Sequence, residues 1–294
     1  MKSFVLAASI GFLGPSLVLG QALTEEQKKA TVAWIQSVQK ENGGFAADKR
    51  PKTPATMRAT AAALRALKLL AAQPTNKDSC ARFVMSCYNK VLTGYAPQPG
   101  GKVDKATTAF GLMAAGELKL PDETYMVRPV IFLCSCVKKI EDIQLTAAAY
   151  EAVHSKCELA QDWIVTLQDT QNPDGTFGKG DNPAGVSAAA MVALRRLGGQ
   201  VRKTEQVLKT LKTSQQSDGG WGKKGAASDL ETTYRVIQAM VYFKDKPDSK
   251  ACLAFVARCR HDDGSYGLRP GDAGSSRATY FAAALLHWLN EKKK

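Results

Sequence analysis

One short pattern recurs along the chain and limits what it can fold into: a polar residue, a short spacer, an Asp-Gly or Asn-Gly turn, and an aromatic. It stands as QQSDGGWG at residues 215–222, QNPDGTFG at 171–178, QKENGGF from Gln39 and RHDDGSYG from Arg260. The turn residues Asp174, Asp218 and Asp263 lie about 44 residues apart, and Asn42 precedes Asp174 by about three such intervals. A fixed period of this size marks stacked or closed repeats of one supersecondary unit. Two degenerate copies fill the gap. In YAPQPGGKVDKATTAF, Gly100-Gly101 keeps the turn without the aromatic; in CVKKIEDIQLTAAAY the turn is missing too.

A second marker supports a count of six. About twelve residues after each turn, a Thr or Ser opens an apolar, small-residue run, at Thr60, Thr108, Thr146, Ser187, Thr233 and Thr279. Each unit reads helix, loop, helix. The segment before the turn has paired apolar residues at helical spacing, as in Trp34-Ile35 with Val38, Trp163-Ile164 with Leu167, and Val207-Leu208 with Leu211. The segment after it opens on cap signals: Thr53-Pro54 and Asn182-Pro183 place Pro at the first helical position, and Ser228 with Glu231 forms a capping box.

Strand alternation is absent. The second helix of each unit is crowded with Ala, at 61–63, 147–149, 188–190 and 282–284, so its backbone can approach its neighbours closely. Six such inner helices and six bulkier outer ones are expected to close into a double ring. The predicted fold is all-α, an α/α toroid over residues 21–294, with a central cavity framed by the starts of the inner helices; an open solenoid is the alternative. The turn is then a stability element. Gly accepts the left-handed backbone, Asp bonds its own main chain, Gln bonds carbonyls at a helix end, and the aromatic packs between units.

Composition narrows the function classes. The 294 residues carry 40 basic and 27 acidic side chains, a formal charge of +13. The charges are scattered except at Lys292 to Lys294, and no zinc finger, RNA-binding aromatic signature or basic heptad region is present. Nucleic acid is not an expected partner; a solvated basic surface is. The start, MKSFVLAASIGFLGPSLVLGQA, resembles a secretory signal over residues 1–20, so an exported, periplasmic or secreted protein is expected. Gly11, Gly14 and Pro15 interrupt that run and no other segment is long and apolar enough, so no stable membrane span is expected.

Of seven cysteines, Cys80 and Cys87, like Cys252 and Cys259, are separated by two helical turns, about 10 Å of rise, and neither pair can bond internally if helical. Buried thiols are the expected state. There is no CxxC and no His-x-x-x-His, and His154, His261 and His287 form no spaced ligand set.

The QxxDGxW pattern of Gln215, Asp218, Gly219 and Trp221, with Phe177 in the previous unit, resembles the repeat of squalene and oxidosqualene cyclases and of protein prenyltransferase β subunits. The resemblance covers roughly residues 25–290. It implies a toroid around an apolar isoprenoid pocket, with transfer or cyclisation of the isoprenoid as the activity. The prenyltransferase branch implies zinc held by Asp-x-Cys in the fifth unit and a His before Thr in the sixth, and a helical partner subunit docked on the outer ring. Here Asp229 is kept, but Glu231 and Ala278 stand where the Cys and His belong, so the zinc site is expected to be lost and no cofactor is expected. The cyclase branch implies a D-x-D-D-T acid motif. Asp229-Leu230-Glu231-Thr232-Thr233 has a similar register, and Asp104-Lys105-Ala106-Thr107-Thr108 echoes it.

The candidate catalytic residues are Asp229, Glu231 and Asp104. The candidate ligand contacts are Lys223, Lys224, Arg58 and Tyr234, with Arg235, Arg277 and Tyr280, because a helix start flanked by cations suits a diphosphate. Three functions are consistent with these residues. The first is a toroid that binds an isoprenoid or prenyl diphosphate, or another apolar small molecule. The second is a noncatalytic binding or scaffold toroid, recognisable by a cavity filled by Tyr234, Tyr280 and Phe281. The third is a carbohydrate-active toroid, which needs two carboxylates facing each other across a cleft.

Overall fold

Helices alternate between two rings in the computed structural model, which describes residues 23–121, 123–155 and 158–290. The expected signal segment lies outside those residues. The outer helices are α1 (Glu25–Ser37), α3 (Lys77–Ser86), α5 (Arg128–Cys136), α7 (Ala160–Gln168), α9 (Thr204–Thr213) and α11 (Ser249–Arg258). The inner helices are α2 (Met57–Leu69), α4 (Lys105–Leu118), α6 (Ile140–Ala152), α8 (Pro183–Arg196), α10 (Leu230–Tyr242) and α12 (Ser276–Asn290). A π-helical turn, Glu123–Val127, leads into α5, and β1 (Tyr88–Asn89) pairs antiparallel with β2 (Gly94–Tyr95).

The inner ring is closed. Each inner helix packs on the next, from α2 through α4, α6, α8 and α10 to α12, and α12 packs back on α2. Alanine makes this approach possible: Ala61, Ala147, Ala188 and Ala282 are all buried at the contacts. The seam between last and first units is also bonded. Ser276 donates through its N–H to Ala47 O at 2.8 Å and through Oγ to Ala46 O at 2.7 Å, and Lys49 pairs with Asp263 at 3.4 Å.

The repeated turn joins each unit to the next. Gln215 Nε2 donates to Gly219 O at 2.8 Å and to Asp248 O, the cap of α11, at 3.3 Å; Gln39 does the same to Gly43 O and Asn76 O. Gly219 has φ +88°, and a Cβ there would lie 2.1 Å from Ala251 O in α11. At Gly264, φ is also +88° and a Cβ would lie 2.4 Å from Ala30 C in α1, so the sixth turn closes the outer ring on the first unit.

The Thr and Ser marker has a defined partner. Phe45, Phe177, Trp221 and Tyr266 donate their backbone N–H to Thr60, Ser187, Thr233 and Thr279 hydroxyls at 2.9–3.2 Å. Tyr95 N–H donates to Thr108 Oγ1 at 3.0 Å in the same way. Tyr95 is therefore the aromatic of the second unit, and its turn is at Asn89–Thr93, where Asn89 Oδ1 accepts from Val91 and Leu92 N–H and Thr93 adopts φ +53°. This corrects the placement of that turn at Gly100-Gly101, which lies in the following loop.

Two cap expectations also move. Thr56, not Thr53, caps α2, so Pro54 precedes the helix; Asn182-Pro183 opens α8 as predicted. Asp229, not Ser228, caps α10, and Ser228 Oγ instead donates to Asp218 Oδ1 at 2.7 Å.

The six described cysteines are unbridged, and Cys80, Cys87, Cys252 and Cys259 are buried. Burial pushes each of these four thiols up to about 12. Among the described residues no helix is long and apolar enough to cross a membrane.

Candidate functional site

The inner helices all start at one rim. The α2 start is bonded by the loop before α4 (Met57 N–H to Pro97 O, 2.9 Å), and the α10 start by the loop before α12 (Leu230 N–H to Leu268 O, 2.9 Å). Within the ring is a cavity of about 350 Å³, the size of a small-molecule site. Its wall is built in layers by helical register. At the mouth stand the second residues of four inner helices: Arg58, Glu141, Glu231 and Arg277. One turn deeper are Phe110, Leu145, Ala189, Tyr234, Tyr280 and Phe281. The inner end is formed by Arg65, Met113, Ala148, Val192, Arg196 and Gln238.

The mouth is an arginine cluster around one carboxylate. Glu231 Oε1 accepts from Arg235 Nη2 at 2.8 Å, and Glu231 Oε2 lies 2.5 Å from Arg277 Nη2. Arg58 lies 4.8 Å above the Phe110 ring and Arg277 5.5 Å from the Phe281 ring. Counting the inner end, five arginines line the cavity against two glutamates, so its potential favours an anion.

Below the mouth the wall is aromatic. The Tyr234 ring packs on Tyr280, Phe281 and Trp288 with centroids 4.9–5.5 Å apart. The Tyr234 and Tyr280 hydroxyls are 2.8 Å apart, and Gln238 Nε2 donates to Tyr234 Oη at 3.2 Å. Burial pushes the Tyr280 hydroxyl well above the ordinary phenol range. These rings belong to the wall and leave the cavity open, so the filled cavity expected of a scaffold toroid is not what the ring contains.

Six candidate residues, Arg58, Glu231, Tyr234, Arg235, Arg277 and Tyr280, meet in this cavity. Lys223 lies outside it, in an adjoining recess of about 400 Å³ with Arg269 and Asp229, which shares Glu231 and Arg235 with the cavity. Lys223 is half-exposed there and pairs with Asp181 at 3.4 Å. Lys224 is exposed and lines neither space; its backbone N–H is used on Asp181 O.

Asp104 is not at the cavity. It is exposed and caps α4, accepting from Thr107 N–H at 2.8 Å and from Thr107 Oγ1 at 2.6 Å. Asp229 makes the same capping pair with Thr232, at 2.8 and 3.0 Å. The similar register of the two Asp-x-x-Thr segments therefore reflects a shared helix cap. Glu231, predicted as part of that cap, is free of it and faces the arginines.

The donor set does not fit the zinc that the resemblance implies. The Asp229 carboxylate is committed to Thr232, Glu231 to two guanidiniums, and Ala278 offers no donor atom. Among the described residues no cluster of three or more His, Cys, Asp or Glu side chains could hold a metal ion.

The sequence reading missed the inner end of the cavity. Arg65 follows Arg58 by two helical turns on the same face of α2, and that spacing inside an Ala-rich run was the available signal. Arg196, at the last residue of α8, and Gln238 had no comparable one.

The family model described as a prenyltransferase alpha-alpha toroid domain matches residues 6–135 and 130–294. A drimenyl diphosphate synthase of Streptomyces showdoensis is 28% identical over 160 residues, a match that spans 49% of this chain and 30% of that protein. Among solved structures, protein geranylgeranyltransferase-I of Candida albicans, complexed with GGPP, superposes with a TM-score of 0.64 at 16% identity, covering 78% of this chain and 83% of that one. The type II terpene cyclase MstE from Scytonema gives 0.63 at 12%, covering 90% and 96%. A glycosidase in complex with glucose gives 0.60 at 12%, covering 90% and 95%. At these identities the structural likeness is one of fold.

Proposed function

The chain belongs to the prenyltransferase alpha-alpha toroid family, and on that premise we propose that it binds a prenyl diphosphate, its chain in the central cavity and its diphosphate at the arginine mouth. One observation carries this reading: Arg58, Arg235 and Arg277 stand at the entrance of a cavity whose wall one turn deeper is Phe110, Leu145 and Phe281. Each guanidinium has five N–H donors in a planar fork, so those that hold Glu231 keep donors for phosphate oxygens. The apolar layer rewards a hydrocarbon chain at about 0.8 kcal/mol per buried CH₂. The names of the relatives point the same way: a drimenyl diphosphate synthase, a transferase complexed with GGPP, and a cyclase solved with geranylgeranyl dihydroxybenzoate.

The reading is of binding, with neither thiol activation by zinc nor protonation by the Asp229–Glu231 pair. Both carboxylates already have both oxygens engaged, and either would have to give up the bond at its proton-bearing oxygen to act as an acid. The carbohydrate-active alternative named Asp104 as its second carboxylate, and Asp104 is outside the cavity; Glu141, the other glutamate of the lining, is exposed and pairs with Lys139 at 3.6 Å.

Calorimetric titration tests the proposal. Farnesyl diphosphate is expected to bind more tightly than farnesol or inorganic diphosphate, and Arg277→Ala to weaken it about tenfold or more, the loss expected for a charge-assisted bond. Equal affinity for farnesol and farnesyl diphosphate, unaltered in Arg277→Ala, would remove the arginine mouth from the reading. We also infer export through residues 1–20; N-terminal sequencing of the natural protein, expected to begin near Gln21, checks it.

A further inference from the structure

The inner end of the cavity is the wrong place for two arginines if the ligand ends there in plain hydrocarbon. Arg65 lies deep in the ring and is accessible only in part, where it borders the cavity. Its guanidinium sits 4.5 Å from the Tyr280 ring, with Nη1 3.7 Å from Met113 Sδ. No carboxylate among the described residues pairs with it. Glu117, whose charge favours it from a distance, is held by Lys68 at 2.8 Å.

Arg196 borders the same space with its side chain almost wholly buried. Its Nε donates to Glu151 Oε2 at 2.8 Å, and the Tyr242 hydroxyl takes the other Glu151 oxygen. The two guanidiniums feel each other's charge. Glu151 thus serves Arg196, and Arg65 is left with the distant charge of Glu117, the Tyr280 ring and the Tyr234 hydroxyl. A buried charge left without a counter-charge is costly, and such a charge facing a cavity marks a site for the missing anion.

We propose that the inner end of the cavity is an oxyanion subsite, in which Arg65 and Arg196 with Gln238 hold a carboxylate at the far end of the ligand. The ligand is then an isoprenoid with an acidic group at both ends, the prenyl head at Arg58 and Arg277 and an oxidised tail at Arg65. This rests on the prenyl-ligand reading above and adds the tail chemistry to it. The spacing sets a length. Arg58 and Arg65 are seven residues apart on one helix face, about 10 Å of rise. At about 1.2 Å per main-chain bond of an extended chain, that is about eight bonds, the length of two isoprene units.

A crossed comparison tests the subsite. Decanedioate and decanoate are titrated into the intact protein and into Arg65→Met, and farnesyl diphosphate, whose tail is apolar, is titrated into both. The wild type is expected to prefer the diacid about tenfold, and Arg65→Met to lose that preference while binding farnesyl diphosphate more tightly. A purely structural role for Arg65 would shift all three ligands in the same direction. Equal binding of diacid and monoacid by the wild type, or a diacid preference that survives Arg65→Met and Arg65→Lys alike, overturns the proposal. Failure of farnesyl diphosphate to bind either protein strikes instead at the diphosphate mouth, and the diacid comparison still decides the inner end.

Discussion

At the scale of single residues, Thr233 and Trp221 show how little of the repeat is free to vary. Trp221 is fully buried; its indole N–H reaches Leu211 O at 2.7 Å and its backbone N–H ends on Thr233 Oγ1 at 3.0 Å. Thr233→Val keeps the shape and strands that N–H, which costs about 1–3 kcal/mol. Chemical denaturation of the variant should show the loss. Gly219→Ala adds a methyl 2.1 Å from a carbonyl oxygen to a left-handed backbone and should cost more than about 2 kcal/mol. Gly100→Ala, at φ +74° with open space around it, should cost only the backbone strain of about 1 kcal/mol. Similar losses at the two positions would mean that the contact with α11 is not what fixes the glycine. The cysteines give a chemical check. Alkylation of the native protein at pH 8 should label Cys134 and Cys136 and spare Cys80, Cys87, Cys252 and Cys259, whose thiols burial holds up near 12. The motif residues were legible in the sequence because each repeats at a fixed offset. Arg196 was not, since an arginine at the end of an alanine-rich helix reads the same whether it faces solvent or a cavity; Arg65 was signalled only by its two-turn spacing from Arg58.

At the scale of elements, the starts of the inner helices do two jobs that sequence patterns confuse. Asp104 and Asp229 cap helices, while Glu231, two residues past one cap, faces the cavity; only the register of the helix separates the roles. The second and third units are also joined by an ion pair. Lys105 at the start of α4 meets Asp142 at the start of α6 at 2.6 Å, and Lys138 N–H donates to the same carboxylate at 3.1 Å. Burial alone would raise the Asp142 carboxyl, but the Lys105 bond and the backbone donors outweigh it and hold it below its ordinary value of 3.8. The carboxylate therefore contributes stability that is present above that value and lost as pH falls through its lower folded value. Asp142→Asn should destabilise by about 1–2 kcal/mol at neutral pH, discounted for the partial exposure of Lys105, and the gap to wild type should narrow as the pH drops below about 4. A gap of constant size from pH 7 to pH 3 would assign the effect to packing. Here the sequence was a poor guide: the missing turn of the third unit was visible, and the ion pair was not, because Lys105 and Asp142 meet only once the ring has formed.

At the scale of the molecule, closure was readable from six repeated units with alanine-rich second helices, and α12 packing on α2 with the Ser276 seam is its realisation. Chemistry does not follow from closure, for the same ring is found in a protein prenyltransferase, a terpene cyclase and a glycosidase. What distinguishes this ring is the lining, arginines at both ends and aromatic rings between them. Native mass spectrometry with farnesyl and geranylgeranyl diphosphate, recording any bound zinc in the same spectra, tests that lining directly. A one-to-one complex without zinc, weakened by Arg277→Ala and Arg58→Ala, is the expected result; no prenyl diphosphate complex, or one that forms only with zinc, would contradict binding by the arginine mouth.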